Sequence, residues 1–408
     1  MNSGPSGTQP PDAMRLIFLN RFYWPEEPAT AQLLTDLAEA LAAAGHEVTV
    51  ITSRPRDNRV PARETCRGVN ILRTRGTRWS RLGLPGKAAD FLTFYGSALV
   101  RLASVAQRGD TVVALTDPPL LGIGAWLVSR LCGAKIFHWV QDVYPEIATA
   151  LTGQGWLRVV RPLRDLAWRS AEGCVTLGTD MAGTLAQAGV SPARISVIPN
   201  WAPAGLTVQP RTAADSLRTA WQLEGKFVVA YSGNLGRVHD LDPVLDVAAA
   251  LRDEADIAFV FIGGGAQRNR LEALAAARGL THVQFRPTQP RAQLAAALAL
   301  GDLHLVTLLP GCERLVFPSK LSGVTAVGRP VLFIGPRGSE IAGLVETQRF
   351  GRAFTRDEVA AISAAIRALH SDPGLLRQLG AAAAAYGCAH TGPAAALAGW
   401  KKILSPAE

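Results

Sequence analysis

Apolar runs of strand length alternate with helical patterns almost from one end of this chain to the other, and they do so in two successive series. In the first, strands are expected over residues 15–20, 47–52, 70–73, 111–115, 135–140, 174–177 and 195–198. A helix over 29–44 lies between the first two and closes at Gly45, where a glycine cap belongs. The second series starts afresh with strands over 227–231, 257–262, 283–285, 303–308 and 330–334, separated by helices over 242–252, 266–278, 291–300 and 319–327. Such alternation marks parallel, doubly wound sheets, whose helices cover both faces. Between the series the prolines and glycine of Pro199-Asn200-Trp201-Ala202-Pro203-Ala204-Gly205 make a hinge. The fold class expected is therefore α/β, with two Rossmann-like doubly wound domains facing across a cleft. Residues 14–200 form the first domain and 201–388 the second; 389–408 form a C-terminal helix able to pack back on the first, and 1–13 a disordered tail. Ligands of such sheets bind outside the carboxyl ends of the strands, which places the chemistry in the cleft.

Length and composition agree with two cores. The 408 residues, 48% hydrophobic and 18% charged, suit two globular domains and not a disordered chain. The longest apolar stretch, 112–132, is broken by Asp117, Pro118, Pro119 and Arg130 and falls short of the ~20 residues of a membrane span. The first thirteen residues lack the basic and apolar regions of a signal peptide. Cys66, Cys132, Cys174, Cys312 and Cys388 are scattered without a C-x-x-C pair, so a reducing cytoplasm is the expected location. The net charge of +9 is uneven: residues 54–108 hold twelve Lys/Arg against three acids. That segment reads as a solvated face or as a surface for an anionic membrane or a phosphate-bearing acceptor; no nucleic-acid-binding motif accompanies it.

Three glycine- or lysine-bearing turns carry the chemistry. In Tyr231-Ser232-Gly233-Asn234-Leu235-Gly236-Arg237, a strand runs into a glycine-punctuated turn ahead of a helix. Its reading is either an ordinary tight turn or a cradle whose N–H groups hold a diphosphate. In Pro318-Ser319-Lys320, a helix start carries a cation in its first turn, where the helix dipole disfavours it, so a bound anion is the natural counterweight. A solvated surface lysine is the plain alternative. In Phe261-Ile262-Gly263-Gly264-Gly265, Arg268 occupies the last glycine position of a dinucleotide fingerprint, so that fingerprint is not supported. Asp240-Leu241-Asp242 mimics a metal-binding D-x-D, but helix capping explains it. His138 reads as a satisfied core or edge histidine, and His239 as a candidate donor contact beside the phosphate turn.

In order along the chain stand Phe22-Tyr23-Trp24-Pro25-Glu26, Gly45-His46-Glu47-Val48-Thr49-Val50, Thr116-Asp117-Pro118-Pro119-Leu120, Trp139-Val140-Gln141-Asp142-Val143-Tyr144-Pro145-Glu146, Val197-Ile198-Pro199-Asn200, Ser232-Gly233-Asn234-Leu235-Gly236 and Pro318-Ser319-Lys320. With these markers the chain resembles family-4-type GT-B glycosyltransferases over residues 14–404. The branch is that of bacterial exopolysaccharide, colanic acid and O-antigen biosynthesis. The resemblance implies transfer of a sugar from a nucleoside diphosphate to a glycan or polyprenyl-diphosphate-linked acceptor, with retention of configuration and without a metal or other cofactor. It places the donor on the second domain and the acceptor on the first.

Carried over by position, Gly233, Asn234, Gly236, Arg237, Ser319 and Lys320 surround the diphosphate. Gly263, Arg286, Pro287, Glu313 and Glu340 border the nucleotide, Glu26 and Glu146 face the acceptor, and Asp142, Lys320 and Arg237 are the catalytic candidates. Asp142 alternatively caps its own loop. One departure stands out: where relatives carry the second of two glutamates, this chain has Gly323. Residues 155–171 gather Trp156, Leu157, Val160 and Trp168 with Arg158, Arg161, Arg164 and Arg169, either as a packing helix or as a surface for the inner face of the plasma membrane. A sugar-nucleotide 2-epimerase of the same architecture and a non-catalytic nucleotide-sugar-binding protein are the rival readings.

Overall fold

A computed structural model describes residues 13–26, 28–55, 60–79 and 83–404; the tail expected over 1–13 lies, but for Ala13, outside them. Eight strands form the first sheet: β1 (Arg15–Leu19), β2 (Glu47–Ser53), β3 (Arg63–Cys66), β4 (Val69–Thr74), β5 (Thr111–Leu115), β6 (Lys135–Val140), β7 (Gly173–Thr176) and β8 (Ile195–Val197), in the order β3-β4-β2-β1-β5-β6-β7-β8. Six form the second: β9 (Phe227–Ser232), β10 (Ile257–Ile262), β11 (Val283–Arg286), β12 (Leu303–Thr307), β13 (Val331–Ile334) and β14 (Gly351–Phe354), in the order β11-β10-β9-β12-β13-β14. Every pairing is parallel except β3 with β4.

Alternate residues of the strands enter different cores. Along β1, Leu16 and Phe18 join one cluster with Val48, Val50 and Trp139, while Ile17 and Leu19 join another with Ile51 and Val112. Along β9, Val229 and Tyr231 pack with Phe259 and Phe261, and Val228 and Ala230 with Ala258 and Val260 on the opposite face. Burial on both faces is what makes these strands continuous apolar runs. The edge strands β3 and β14, with polar or glycine-led sequences, escape that signal. The 22-residue helix Leu84–Val105 was also not expected; Gly86 and Gly96 lower its intrinsic helicity. The helix expected over 291–300 is a 3-10 turn, Arg291–Gln293, followed by Leu294–Ala299.

The crossover between domains is anchored at its start. Asn200 and Gln141 exchange two buried amide hydrogen bonds of 3.0 and 3.1 Å, and Trp201 stacks on Trp139 at 5.8 Å. The last helix, Pro393–Leu404, drives Trp400 edge-on against Trp139 at 4.8 Å, so it completes the core of the first domain. Across the cleft, Val143 donates to the Leu315 carbonyl at 2.8 Å and Asp142 forms an antiparallel bridge with Val316. The helices Thr179–Gln187 and Glu340–Thr347 meet end to end there. The Asp180 carboxylate accepts from the Glu340 N–H at 2.7 Å, and the Glu340 carboxylate from the Asp180 N–H at 3.2 Å.

Candidate active site

The turns after β9 and β10 are laced together by backbone. Gly233 donates to the Ile262 carbonyl at 2.8 Å, and Leu235 to the Gly264 carbonyl at 2.7 Å. A Cβ on Gly263 would lie 2.1 Å from the Gly233 oxygen, and one on Gly265 2.5 Å from Asn234 Oδ1. Both sit at strongly positive φ, 146° and 141°, so the approach and the backbone both demand glycine. Arg268, which breaks the dinucleotide pattern, serves instead as a clamp, its guanidinium donating to the Gly263 and Arg286 carbonyls at 2.6 and 2.9 Å. Gln267 likewise ties down the Gly236 and His239 carbonyls at 2.7 and 2.9 Å. Neither clamp is visible in the sequence, because each reaches carbonyls whose position depends on the fold.

Lys320 opens the helix Lys320–Ala326 and crosses Gly233, where a side-chain methyl would meet Lys320 Cε at 2.8 Å. Its ammonium lies 2.9 Å from His239 Nε2 and 4.9 Å from the centre of the Tyr231 ring. It forms no ion pair with a carboxylate among the described residues. Burial without a counter-charge pushes it down to about 7. His239 spans from Lys320 to the Thr307 carbonyl, 2.8 Å from Nδ1. With both ring nitrogens engaged it has none left for a donor contact. Burial, and then the ammonium, press it down to about 3, so it is neutral. Arg237 and Asn234 are exposed on the same turn, and Ser319 precedes Lys320 with its hydroxyl outside any cap. Ser232 Oγ is buried at the end of β9 without a partner among the described residues.

The other donor-side candidates are dispersed. Arg286 folds back onto Gln284, at 2.8 Å, and over the Trp221 ring; Pro287 is exposed beyond it. Glu313 accepts from the N–H of Gly311 in its own loop at 2.8 Å. Glu340 is engaged with Asp180 at the domain contact and faces the first domain. Asp240 and Asp242 pair with Arg356 at 3.4 Å and Arg270 at 2.7 Å. The capping expected of them is not made: the helix Asp242–Ala250 has no side-chain cap, and Asp242 contributes only charge in its first turn.

On the first domain, carboxyl groups gather at the ends of β5 and β6. Asp142 lines a recess with Thr116, Leu120, Gly122, His138 and Tyr144. Its carboxylate makes no hydrogen bond among the described residues, so it caps no loop; its N–H takes Thr116 Oγ1 at 3.2 Å. Burial and then the neighbouring Asp117 raise it to about 7. Asp117, which the sequence offered only as part of a motif, is raised by burial to about 6 against the pull of Arg21. Glu26 is raised by burial to about 7, also against Arg21. Glu146 is instead a structural anchor, gripped by both arms of Arg164 at 2.8 and 3.0 Å and by Arg161 at 3.3 Å. His138 is buried in the core, as expected, with the Ala167 backbone as its hydrogen-bonding neighbour, although its Nε2 makes no full hydrogen bond among the described residues.

Two facing Rossmann-like domains with this arrangement define the GT-B fold. HepE of Anabaena in complex with UDP has the same fold, with a TM-score of 0.73 at 14% identity over 96% of this chain and 99% of that one. Residues 30–201 match the family described as glycosyl transferase 4-like domain, and 215–386 that described as glycosyl transferases group 1. WcaI of Escherichia coli (strain K12), named as a colanic acid biosynthesis glycosyl transferase, is 30% identical over 82% of this chain and 86% of its own length. WbjE of Pseudomonas aeruginosa, named as a glycosyltransferase, is 30% identical over 67% of this chain and 68% of its own. The chain belongs to the group 1 glycosyltransferases.

Proposed function

We propose that the protein moves a sugar, with retention of configuration, from a nucleoside-diphosphate donor on the second domain to a glycan or polyprenyl-diphosphate-linked acceptor on the first, in cell-surface polysaccharide assembly. The observation that carries the reading is the Lys320 ammonium, mostly enclosed, unpaired with any carboxylate among the described residues and set against the glycine turn. A buried cation without a partner is costly unless an anion completes the site. The UDP of HepE and the name of WcaI agree with a nucleotide-sugar donor and a polysaccharide product.

In the transfer, the bond from the anomeric carbon to the diphosphate oxygen breaks with its electron pair leaving on the diphosphate. The acceptor oxygen forms its bond on the same face of an oxocarbenium-like sugar. Lys320, exposed Arg237 and the turn N–H groups meet the developing charge, in place of a resident metal. The engagement of Asp240 and Asp242 by arginines supports that assignment. Asp142, in its ionised form, orients the acceptor hydroxyl and takes its proton as the new bond forms.

A thermal-shift screen with UDP, GDP, ADP and TDP tests the donor site. A nucleotide at 100 times its dissociation constant adds ~2.7 kcal/mol to stability; no shift with any of the four would end the reading. Turnover of the donor alone into an epimer would favour the 2-epimerase, and absence of donor hydrolysis and transfer a binding protein.

Contact with the inner face of a membrane belongs to the same proposal. No helix among the described residues is long and apolar enough to cross a bilayer. Yet Leu92, Val100, Leu127, Leu131, Trp156, Val159, Leu163 and Leu166 are exposed on mutually packed elements, Leu84–Val105, Leu121–Cys132, Gly155–Val160 and Arg161–Arg169. Those elements carry seven Lys/Arg against Asp90 and Asp165. Trp168 and Arg164 turn inward, packed on each other at 3.9 Å. Exposed apolar groups among cations suit an anionic lipid surface. Flotation with anionic vesicles should succeed at low salt and weaken at high salt.

A further inference from the structure

We infer that His239 is a positioning residue for sugar transfer: it aims the Lys320 ammonium at the donor's diphosphate and keeps the proton on the lysine. The inference rests on the donor-site reading above. The Thr307 carbonyl can only accept, so the 2.8 Å contact places the hydrogen on His239 Nδ1. Nε2 is then a bare acceptor, and the 2.9 Å contact to Nζ takes one of the three ammonium N–H groups. Two remain for phosphate oxygens. A neutral lysine could also donate to Nε2, but an ammonium donates more strongly, so the bare acceptor favours a charged lysine beside a neutral imidazole.

The surroundings reinforce that state. The titratable groups packed on the ammonium are His239, from the turn after β9, and Tyr231, from β9 itself, whose phenol donates to the Asn234 carbonyl at 3.0 Å. The nearest charges on the His239 side, Asp240 and Arg356, are paired with each other. The Lys320 stem is pinned over Gly233, where a methyl would lie 2.8 Å from Cε. Ring, stem and acceptor together leave the ammonium little freedom, so ordering it is done before the donor arrives.

Two isosteres separate aiming from architecture, because glutamine places its amide oxygen near the Nε2 position and asparagine its amide N–H near Nδ1. The probe is whichever of UDP, GDP, ADP or TDP stabilises the wild type most, and affinity is measured by calorimetry in proteins whose melts remain cooperative. H239Q, which keeps an acceptor for Lys320, should bind within about threefold of wild type, whereas H239N and H239A should each lose roughly tenfold, the worth of one charge-assisted hydrogen bond. In a K320A background H239N should cost less than about twofold, since contacting residues are non-additive. The wild-type affinity should weaken as pH rises above about 7, and the bend should move downward in H239A, where no ring nitrogen accepts from the ammonium.

Equal losses from H239N in both backgrounds, or tighter binding by H239N than by H239Q, would make His239 a structural residue and overturn the inference. A K320A protein that binds as tightly as wild type would overturn the donor-site reading itself.

Discussion

The two halves of the cleft solve opposite electrostatic problems. The second-domain half partly encloses a cation and gives it only neutral neighbours, His239 Nε2 and the Tyr231 face. The first-domain half holds three partly buried carboxyls, Glu26, Asp117 and Asp142, and sets Arg21 against the first two without forming an ion pair with any of them among the described residues. Both depart from the rule that buried charges are paired. The lesson is in the sign. On the proposed reading a fixed anion would complete the first site, whereas the second, with carboxyls raised to between about 6 and about 7, suits hydroxyl groups and a mobile proton.

The largest expected break in this comparison is on the donor side. Gly263→Ala should cost about 3 kcal/mol or more and abolish nucleotide binding, because its methyl collides with the Gly233 backbone, whereas Gly264→Ala, facing open space, should stay within about 0.5 kcal/mol. Urea denaturation and nucleotide titration of the pair would check this. Next, Lys320→Ala should slow transfer ~10²–10³-fold, about 3–4 kcal/mol, as loss of a preorganised donor to the leaving group does; a rate equal to wild type would remove Lys320 from the mechanism. On the acceptor side Asp142→Asn should lower the rate ~10²-fold and flatten its rise through pH 7, the signature of a general base; steady-state rates across pH would reveal a persistent rise if another group is responsible.

The smallest effect sharpens the contrast between the halves most. Asp142 is raised from 3.8 to about 7, so between those values the folded state holds more protons than the unfolded one, and its contribution to stability falls as pH rises. Lys320 is lowered from 10.5 to about 7, so from about 7 upward the unfolded state holds more protons, and its contribution rises with pH. Each slope is at most about 1.4 kcal/mol per pH unit. Relative to wild type, Asp142→Asn should therefore gain stability from pH 4 to 7, and Lys320→Met should lose its relative advantage from pH 7 to 10. Denaturation midpoints that move in parallel across pH would contradict the opposed charging.

Much of this was legible locally. The long central strands are apolar on both faces, so periodicity placed β5, β6 and β10 at their observed bounds. The glycine turns were equally plain, since Gly233 and Gly263 mark points of close backbone approach. The edge strands β3 and β14 were not, because an edge needs no continuous apolar run. The helix Leu84–Val105 was hidden by its glycines and by a charge pattern that reads as surface. At the site, Lys320 stood out by its unfavourable place in a first helical turn, but Arg268 was readable only as a failed fingerprint, and Glu146 and Glu340 as free carboxylates.

What the amino-acid order determined alone was the architecture and the chemical inventory: two doubly wound sheets, glycine at the turns that face the cleft, and one lysine out of place. Those properties arise from burial and backbone geometry within a few residues of each other. What only tertiary structure decided was which charges are paired. His239 and Lys320 are 81 residues apart, Asp180 and Glu340 are 160 apart, and Asp142 meets Val316 across the domain contact. A carboxylate or an ammonium acquires its role from neighbours within a few ångströms, and no local pattern in the chain names them.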